Sequence, residues 1–234
     1  ADVYEYIVMT LEKAIDLLPN TNSAGRIDKW GAKGLLAKVY LAKSGINCNG
    51  NGQRDENDLA KAAELAKDVI DNSGKKLMEH YADIFRGENN NCEESLIGWR
   101  WTADQLNYTC GNCLTSELAP SGFCEYQSWG DWTAPSVDLE EAFGVTPLQN
   151  PNSRPATDER RKATMMMAGD TYSQWWQDKG GFNYIKFLYD KKYAPGSNDG
   201  LQSGTGANIA KHLYGDDADH IKAFGRSAGK QTSD

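Results

Sequence analysis

Apolar positions recur at helical spacing through the first third of the chain and lose that rhythm afterwards. Val3, Ile7, Leu11, Ile15 and Leu18 share one stripe, which predicts a helix over Val3–Leu18 ended by Pro19-Asn20. Trp30, Ala32, Leu35, Leu36, Val39 and Tyr40 form a second stripe behind Asp28, predicting a helix over Lys29–Ser44 with Gly45 as its stop. Leu59, Ala62, Ala63, Ala66, Val69 and Ile70 predict a third over Leu59–Asn72, with Asp58 as cap and Gly74 as stop. Small residues crowd the contact face of the third helix, so its axis can approach the second closely. A bulky helix followed by an alanine-faced one is the alternation of a tetratricopeptide unit. Such a unit needs neighbours to bury its apolar face, and the first helix is one.

Past this point the pattern breaks up. A short helix is expected over Met78–Phe85, and a strand over Leu96–Thr102 that turns Ile97, Trp99 and Trp101 to one face, toward the core. Residues 103–134 read as loop. Val137–Phe143 reads as a short helix that Ser136 or Asp138 could cap, and Asp158–Ala168 as helix or strand. A strand is expected within Gly180–Tyr193, and a turn-rich linker over Gly196–Gly206. The fold class is therefore mainly α. A tetratricopeptide-like helical repeat scaffold spans residues 1–90, and an irregular, loop-rich aromatic part with a few short strands spans 91–234 and packs on it.

Composition narrows the function. The 234 residues suffice for one large domain or two small ones, and 39% hydrophobic with 25% charged is an ordinary globular balance. A net charge of −8 argues against a nucleic-acid or anionic-lipid surface. Seven Trp and eleven Tyr are the unusual feature, clustered after residue 98. Sugar rings stack their C–H faces on such rings. Tyr126, Trp129 and Trp132 recur at intervals of three in a loop that also carries Asp131, which makes them the first candidates for a binding platform. In Trp175-Trp176, adjacent side chains on a helix or strand point different ways, so one is expected buried and one exposed; Trp175 joins the candidate site.

Two other patterns carry possible chemistry. Asn47, Asn49, Asn51, Gln53, Asp55 and Asp58 match positions 1, 3, 5, 7, 9 and 12 of a calcium loop, with Gly52 at the turn. Their ligand charge is low, and the same residues suit a polar turn in which Asp58 caps the next helix. The five cysteines include three in CGNCLTSELAPSGFC, open to a disulfide, free thiols, or zinc ligation by Cys110, Cys113 and Cys124. Nothing points to catalysis. Carboxylates such as Glu117, Glu140 and Glu141 are plentiful, but no spacing singles out a pair, and the three histidines sit in no HExxH or triad-like context.

One resemblance ties the segments together. Gly34–Leu41, Val69-Ile70, Tyr81–Phe85 and Glu94-Ser95 follow in the order seen in the SusD/RagB family of glycan-binding outer-membrane lipoproteins from Bacteroidetes-type bacteria. Weaker echoes follow in Ser136–Gly144, Asp158–Thr164 and Lys186–Tyr193. The resemblance implies non-catalytic capture of a polysaccharide or oligosaccharide at the cell surface. It implies delivery to a SusC-like TonB-dependent transporter, and membrane attachment only through a lipid anchor outside this chain. It also implies that the chain lacks the family's N-terminal and C-terminal parts. A helical protein-interaction scaffold and a helical glycoside hydrolase are the competing readings.

Overall fold

The computed structural model describes residues 2–46, 52–99, 114–124, 128, 130, 133–155, 158–197 and 203–224. The chain divides into two compact units, Ala1–Met78 with Asn91–Trp99, and Glu79–Asn90 with Arg100–Asp234. The described residues are mainly helical with four short strands, as the fold class expected.

The first unit holds α1 (Asp2–Leu17), α2 (Lys29–Lys43) and α3 (Glu56–Asn72), each packed on the next in sequence. Leu36 and Ala37 of α2 meet Leu65 of α3 at the centre, with Val8, Leu11 and Ile15 of α1 against them. The Asp28 carboxylate caps α2 by accepting from the Gly31 N–H at 2.8 Å. Helix α3 starts earlier than its apolar stripe predicts, because Asp55 rather than Asp58 is the cap. Asp55 accepts from the Asn57 and Asp58 N–H groups at 3.0 and 2.9 Å. Asp58 is thereby free to take the Lys43 ammonium at 2.7 and 2.8 Å, and Lys33 pairs with Asp68 across the same two helices.

Residues 91–99 are laced onto these helices. The Lys75 ammonium donates to the Ser95 carbonyl at 2.8 Å, and the Met78 N–H to the Glu94 carboxylate at 2.9 Å. The Leu96 carbonyl oxygen sits against α2 so closely that a Cβ on Gly31 would lie 2.7 Å from it. The strand expected from Leu96 is not formed over residues 96–99, where the Ser95 carbonyl just before it goes to Lys75 and the Leu96 carbonyl lies against Gly31. Trp99 is 87% exposed, which corrects its placement in the core; Trp101 lies outside the described residues.

The second unit is built from short pieces. The 3-10 turns Tyr81–Phe85 and Gly87–Asn89 are followed by α4 (Leu114–Leu118), α5 (Val137–Ala142) and α6 (Arg160–Thr164). Then come β1 (Met165–Met167), β2 (Thr171–Tyr172), β3 (Phe182–Asn183), α7 (Tyr184–Tyr189), β4 (Ala207–Ile209) and α8 (Asp217–Phe224). β1 pairs antiparallel with β4, Met166 opposite Asn208, and β2 with β3, Thr171 opposite Asn183. Ser136, not Asp138, caps α5, its hydroxyl accepting from the Leu139 N–H at 3.2 Å. Asp158–Ala168, legible as helix or strand, is both in succession. Buried Asp170 imposes the change by accepting the Met167 N–H at 2.8 Å and the Arg161 guanidinium at 2.5 and 3.0 Å. The core is aromatic: Phe123, Tyr172, Trp175, Trp176, Phe182 and Phe187 pack mostly edge to face.

Two stability predictions follow from these contacts. Gly31→Ala should lower stability by about 1–3 kcal/mol through the clash with the Leu96 carbonyl. A urea midpoint equal to wild type would show that residues 91–99 yield at no cost. Glu140 of α5 is buried, 2% exposed, and burial pushes its carboxyl up, partly offset by the neighbouring Thr205 hydroxyl. A carboxyl raised on folding supports the fold below its unfolded value, and that support is lost as pH rises through the folded value. Glu140→Gln should therefore gain on wild type with rising pH and lose the advantage in acid, read as melting temperature against pH.

Candidate functional site

The site begins with a strained turn. Between β2 and β3 the chain carries Trp175 and Trp176, and Trp176 adopts the left-handed region at φ 51 and ψ 45. Neither helix nor strand geometry applies there, so adjacent side chains need not diverge. Both indoles turn inward, 5% and 2% exposed, against the expectation of one in and one out. Each indole N–H is satisfied at 3.1 Å, Trp175 by the Leu213 carbonyl and Trp176 by the Phe123 carbonyl. Tyr172 stacks on Trp175 with ring centres 4.4 Å apart.

Asp219 of α8 holds that turn. Its buried carboxylate accepts the backbone N–H of Trp176, that of Gln177 at 3.2 Å and that of Asp216 at 3.2 Å. Burial pushes its carboxyl up and neighbouring Asp216 adds to this, while the three N–H donors pull it back.

Around the turn lies a groove. One stretch encloses 450 Å³ between Phe85, Lys162, Gln174, Trp175, Tyr214 and Lys222. A second stretch of 620 Å³ shares Arg86, Lys162, Tyr172, Ser173 and Gln174 with it, so the two run together. Hydroxyl, amide and cationic groups line it over an aromatic floor, a composition suited to a polar ligand with apolar faces. At one end the Lys211 ammonium lies 5.0 and 5.1 Å from the rings of Tyr81 and Phe85. Neighbouring His212 meets Phe85 edge-on at 5.1 Å, and burial, with Lys211 beside it, holds its imidazole below the usual range.

The groove's carboxylates are engaged in pairs and caps. Asp83 pairs with Arg86 at 3.0 Å, and Asp158 with Arg160 at 2.6 Å, which holds Asp158 below the usual carboxylate range. Glu159 accepts the Tyr81 N–H at 2.9 Å; that bond, with His80 near, lowers it too. A glycosidase acid needs a carboxyl shifted upward and free to reach the leaving oxygen. Asp219 is shifted upward, but its oxygens are taken by backbone. The geometry suits binding.

Of the residues singled out in the sequence, Trp175 borders the groove as a buried wall. Tyr126, Trp129, Asp131 and Trp132 lie outside the described residues. Asn47, Asn49 and Asn51 of the calcium pattern do so as well. Its described members have work already: Asp55 caps α3 and Asp58 pairs with Lys43, while Gln53 is exposed. No group of three metal-binding side chains occurs among the described residues. Arg86, Lys162, Ser173, Gln174, Gln177 and Lys222 carry no motif, and only the fold brings them to one groove.

Asp219→Asn should loosen the turn, since an amide NH2 would face backbone donors. A loss of about 1–3 kcal/mol is expected, with a weakened near-ultraviolet circular dichroism signal from the two indoles. Unchanged melting and signal would mean that the left-handed turn stands without Asp219.

No protein-family model matches the chain. A SusD-like protein of Bacteroides ovatus is 38% identical over 206 residues, 87% of this chain and 35% of its own length. A crystal structure determined with a xylogluco-oligosaccharide superposes with a TM-score of 0.73 and 32% identity, over 97% of this chain and 40% of that one. A second crystal structure matches with TM-score 0.73 and 32% identity over 99% of this chain and 39% of its own. The chain spans about a third of the curated relative's length. Over most of its residues the chain is similar in sequence to a SusD-like protein and in fold to these crystal structures, as its ordered motifs from Gly34–Leu41 to Glu94-Ser95 imply.

Proposed function

We propose that the chain is part of a glycan-binding protein that captures polysaccharide or oligosaccharide without cleaving it. The observation that carries this reading is its similarity, along nearly the whole chain, to a structure determined with a xylogluco-oligosaccharide. The groove of the second unit supports it: hydroxyl and amide groups over aromatic walls, with its carboxylates held in ion pairs and caps. Tyr126, Trp129 and Trp132 are proposed as the stacking platform, Asp131 as its polar companion for sugar hydroxyls, and Trp175 as the wall behind the ligand. Stacking and hydrogen bonding of this kind bind weakly per sugar and gain from a long or repeated ligand.

The proposal extends to the cell. The protein sits on the outer-membrane surface through a lipid anchor and passes its ligand to a SusC-like TonB-dependent transporter. In this picture α1 to α3 are a tetratricopeptide-like scaffold, and loops of the second unit hold the sugar. No helix among the described residues is long and apolar enough to cross a membrane.

Affinity electrophoresis of the intact protein through gels containing xyloglucan and other polysaccharides tests the reading. Retardation by at least one polymer is expected, abolished in a Trp129→Ala, Trp132→Ala double variant and weakened about fivefold or more by Gln174→Ala. Retardation that survives the tryptophan changes would keep the role and move the platform. Migration unchanged by every polymer would sink the glycan role.

A further inference from the structure

A smaller pocket of 240 Å³ adjoins the groove, with Thr171, Tyr172 and Ser173 lining both. Lys179 and Lys186 face into it, and no carboxylate is among its lining residues. Lys179 comes from the 3-10 turn Gln177–Lys179, its ammonium 4.1 Å from the Trp176 ring centre. The carboxylate nearest to it, Asp216, lies 3.8 Å away and is buried behind it. Lys186 comes from α7, its ammonium 5.8 Å from the Tyr193 ring centre, and it enters no ion pair among the described residues.

The rest of the pocket is fixed. The Tyr193 hydroxyl donates to the Gly181 carbonyl at 2.7 Å and accepts the Asn183 N–H at 2.9 Å, which ties the turn after α7 to β3 and the glycine before it. Gly180 and Gly181 both sit in the left-handed region, φ +80 and +103, and a Cβ on Gly180 would meet nothing within 4 Å, so one rim of the pocket is clear of side chains. Two ammonium groups sharing a concavity repel each other, and an oxyanion placed between them turns that repulsion into attraction. On a chain of net charge −8, the lining of this concavity carries two cations and no acid, and the carboxylates that act on its Tyr193 wall are Asp178 and Asp216, the latter paired with Lys179, which leaves Lys186 as the uncompensated cation. On the groove side of the same ridge, Lys162 lies 5.0 Å from the Tyr172 ring centre, likewise with no ion pair among the described residues.

We propose that this pocket is a subsite for the oxyanion substituent, carboxylate or sulfate, of an acidic glycan lying in the adjoining groove. The inference rests on the glycan-binding reading above. Ser173, at the shared edge, adds a hydroxyl donor for the same substituent.

The test compares charged polymers with their neutral counterparts in affinity electrophoresis of the intact protein. Polygalacturonate is run beside its carboxyl-reduced form, and a sulfated galactan beside its desulfated form, each at low and high salt. Two partly exposed charge pairs predict a preference of about tenfold for a charged polymer at low salt, falling at high salt. Which pair shows the preference tells carboxylate from sulfate. Lys186→Gln should remove most of it and leave the neutral polymer's affinity unchanged, while Lys186→Arg should keep it. Lys179→Gln should act the same way, but Lys179 packs on Trp176, so its melting temperature is read alongside. Equal affinity for charged and neutral forms overturns the subsite and leaves the glycan role standing. A preference that survives both glutamine variants also overturns it, since the charge is then read elsewhere. Failure of all four polymers to bind a protein that xyloglucan still retards overturns the subsite alone, whereas failure of xyloglucan and every other polysaccharide overturns the glycan role with it.

Discussion

The second unit depends on one carboxylate. Asp219 gathers three backbone N–H groups that no secondary structure satisfies, and so holds Trp176 in a conformation that a bulky residue seldom adopts. With that turn in place, two consecutive indoles point inward. They give Phe123, Phe182 and Phe187 a shared partner, so elements too short to be stable alone acquire a common core. The groove runs along the outside of this core. Its shape is thus a by-product of a backbone strain, and residues far apart in sequence, from Phe85 to Lys222, meet because that strain is held.

The first unit obeys a simpler constraint, the stacking of amphipathic helices. All three helices were legible because their apolar stripes repeat at the helical period over four turns or more. One boundary was not. Asp55 and Asp58 are equally good caps, and the stripe beginning at Leu59 favours the second. The apolar stripe does not show that Asp58 has a partner on another helix: with Asp55 as the cap, Asp58 is free to pair with Lys43. Trp99 failed for a related reason. Its alternating neighbours look like a strand, but the local carbonyls are spent on Lys75 and on the approach to Gly31.

In the second unit the Ser136-capped helix at Val137 was legible, but most short elements carry too few periods to be read, and polar side chains such as Gln174 and Lys162 look like any solvated surface. Trp175 and Trp176 were visible as a feature, but the rule that adjacent side chains diverge assumes regular backbone, which this turn lacks. The ordered motifs of the SusD-like pattern were stronger than any one of these local signals, since their sequence of occurrence spans both units.

The joint between α2 and α3 carries a different implication. The Asp55 N–H donates to the Ser44 carbonyl at 2.8 Å, and Lys43 and Asp58 pair just beyond it. The two helices are thus stapled at the base of their connection, independently of what the connection contains. Lengthening a loop whose ends are already fastened costs only about 0.6 kcal/mol per doubling. A change in the length of that connection therefore has little leverage on how the two helices pack.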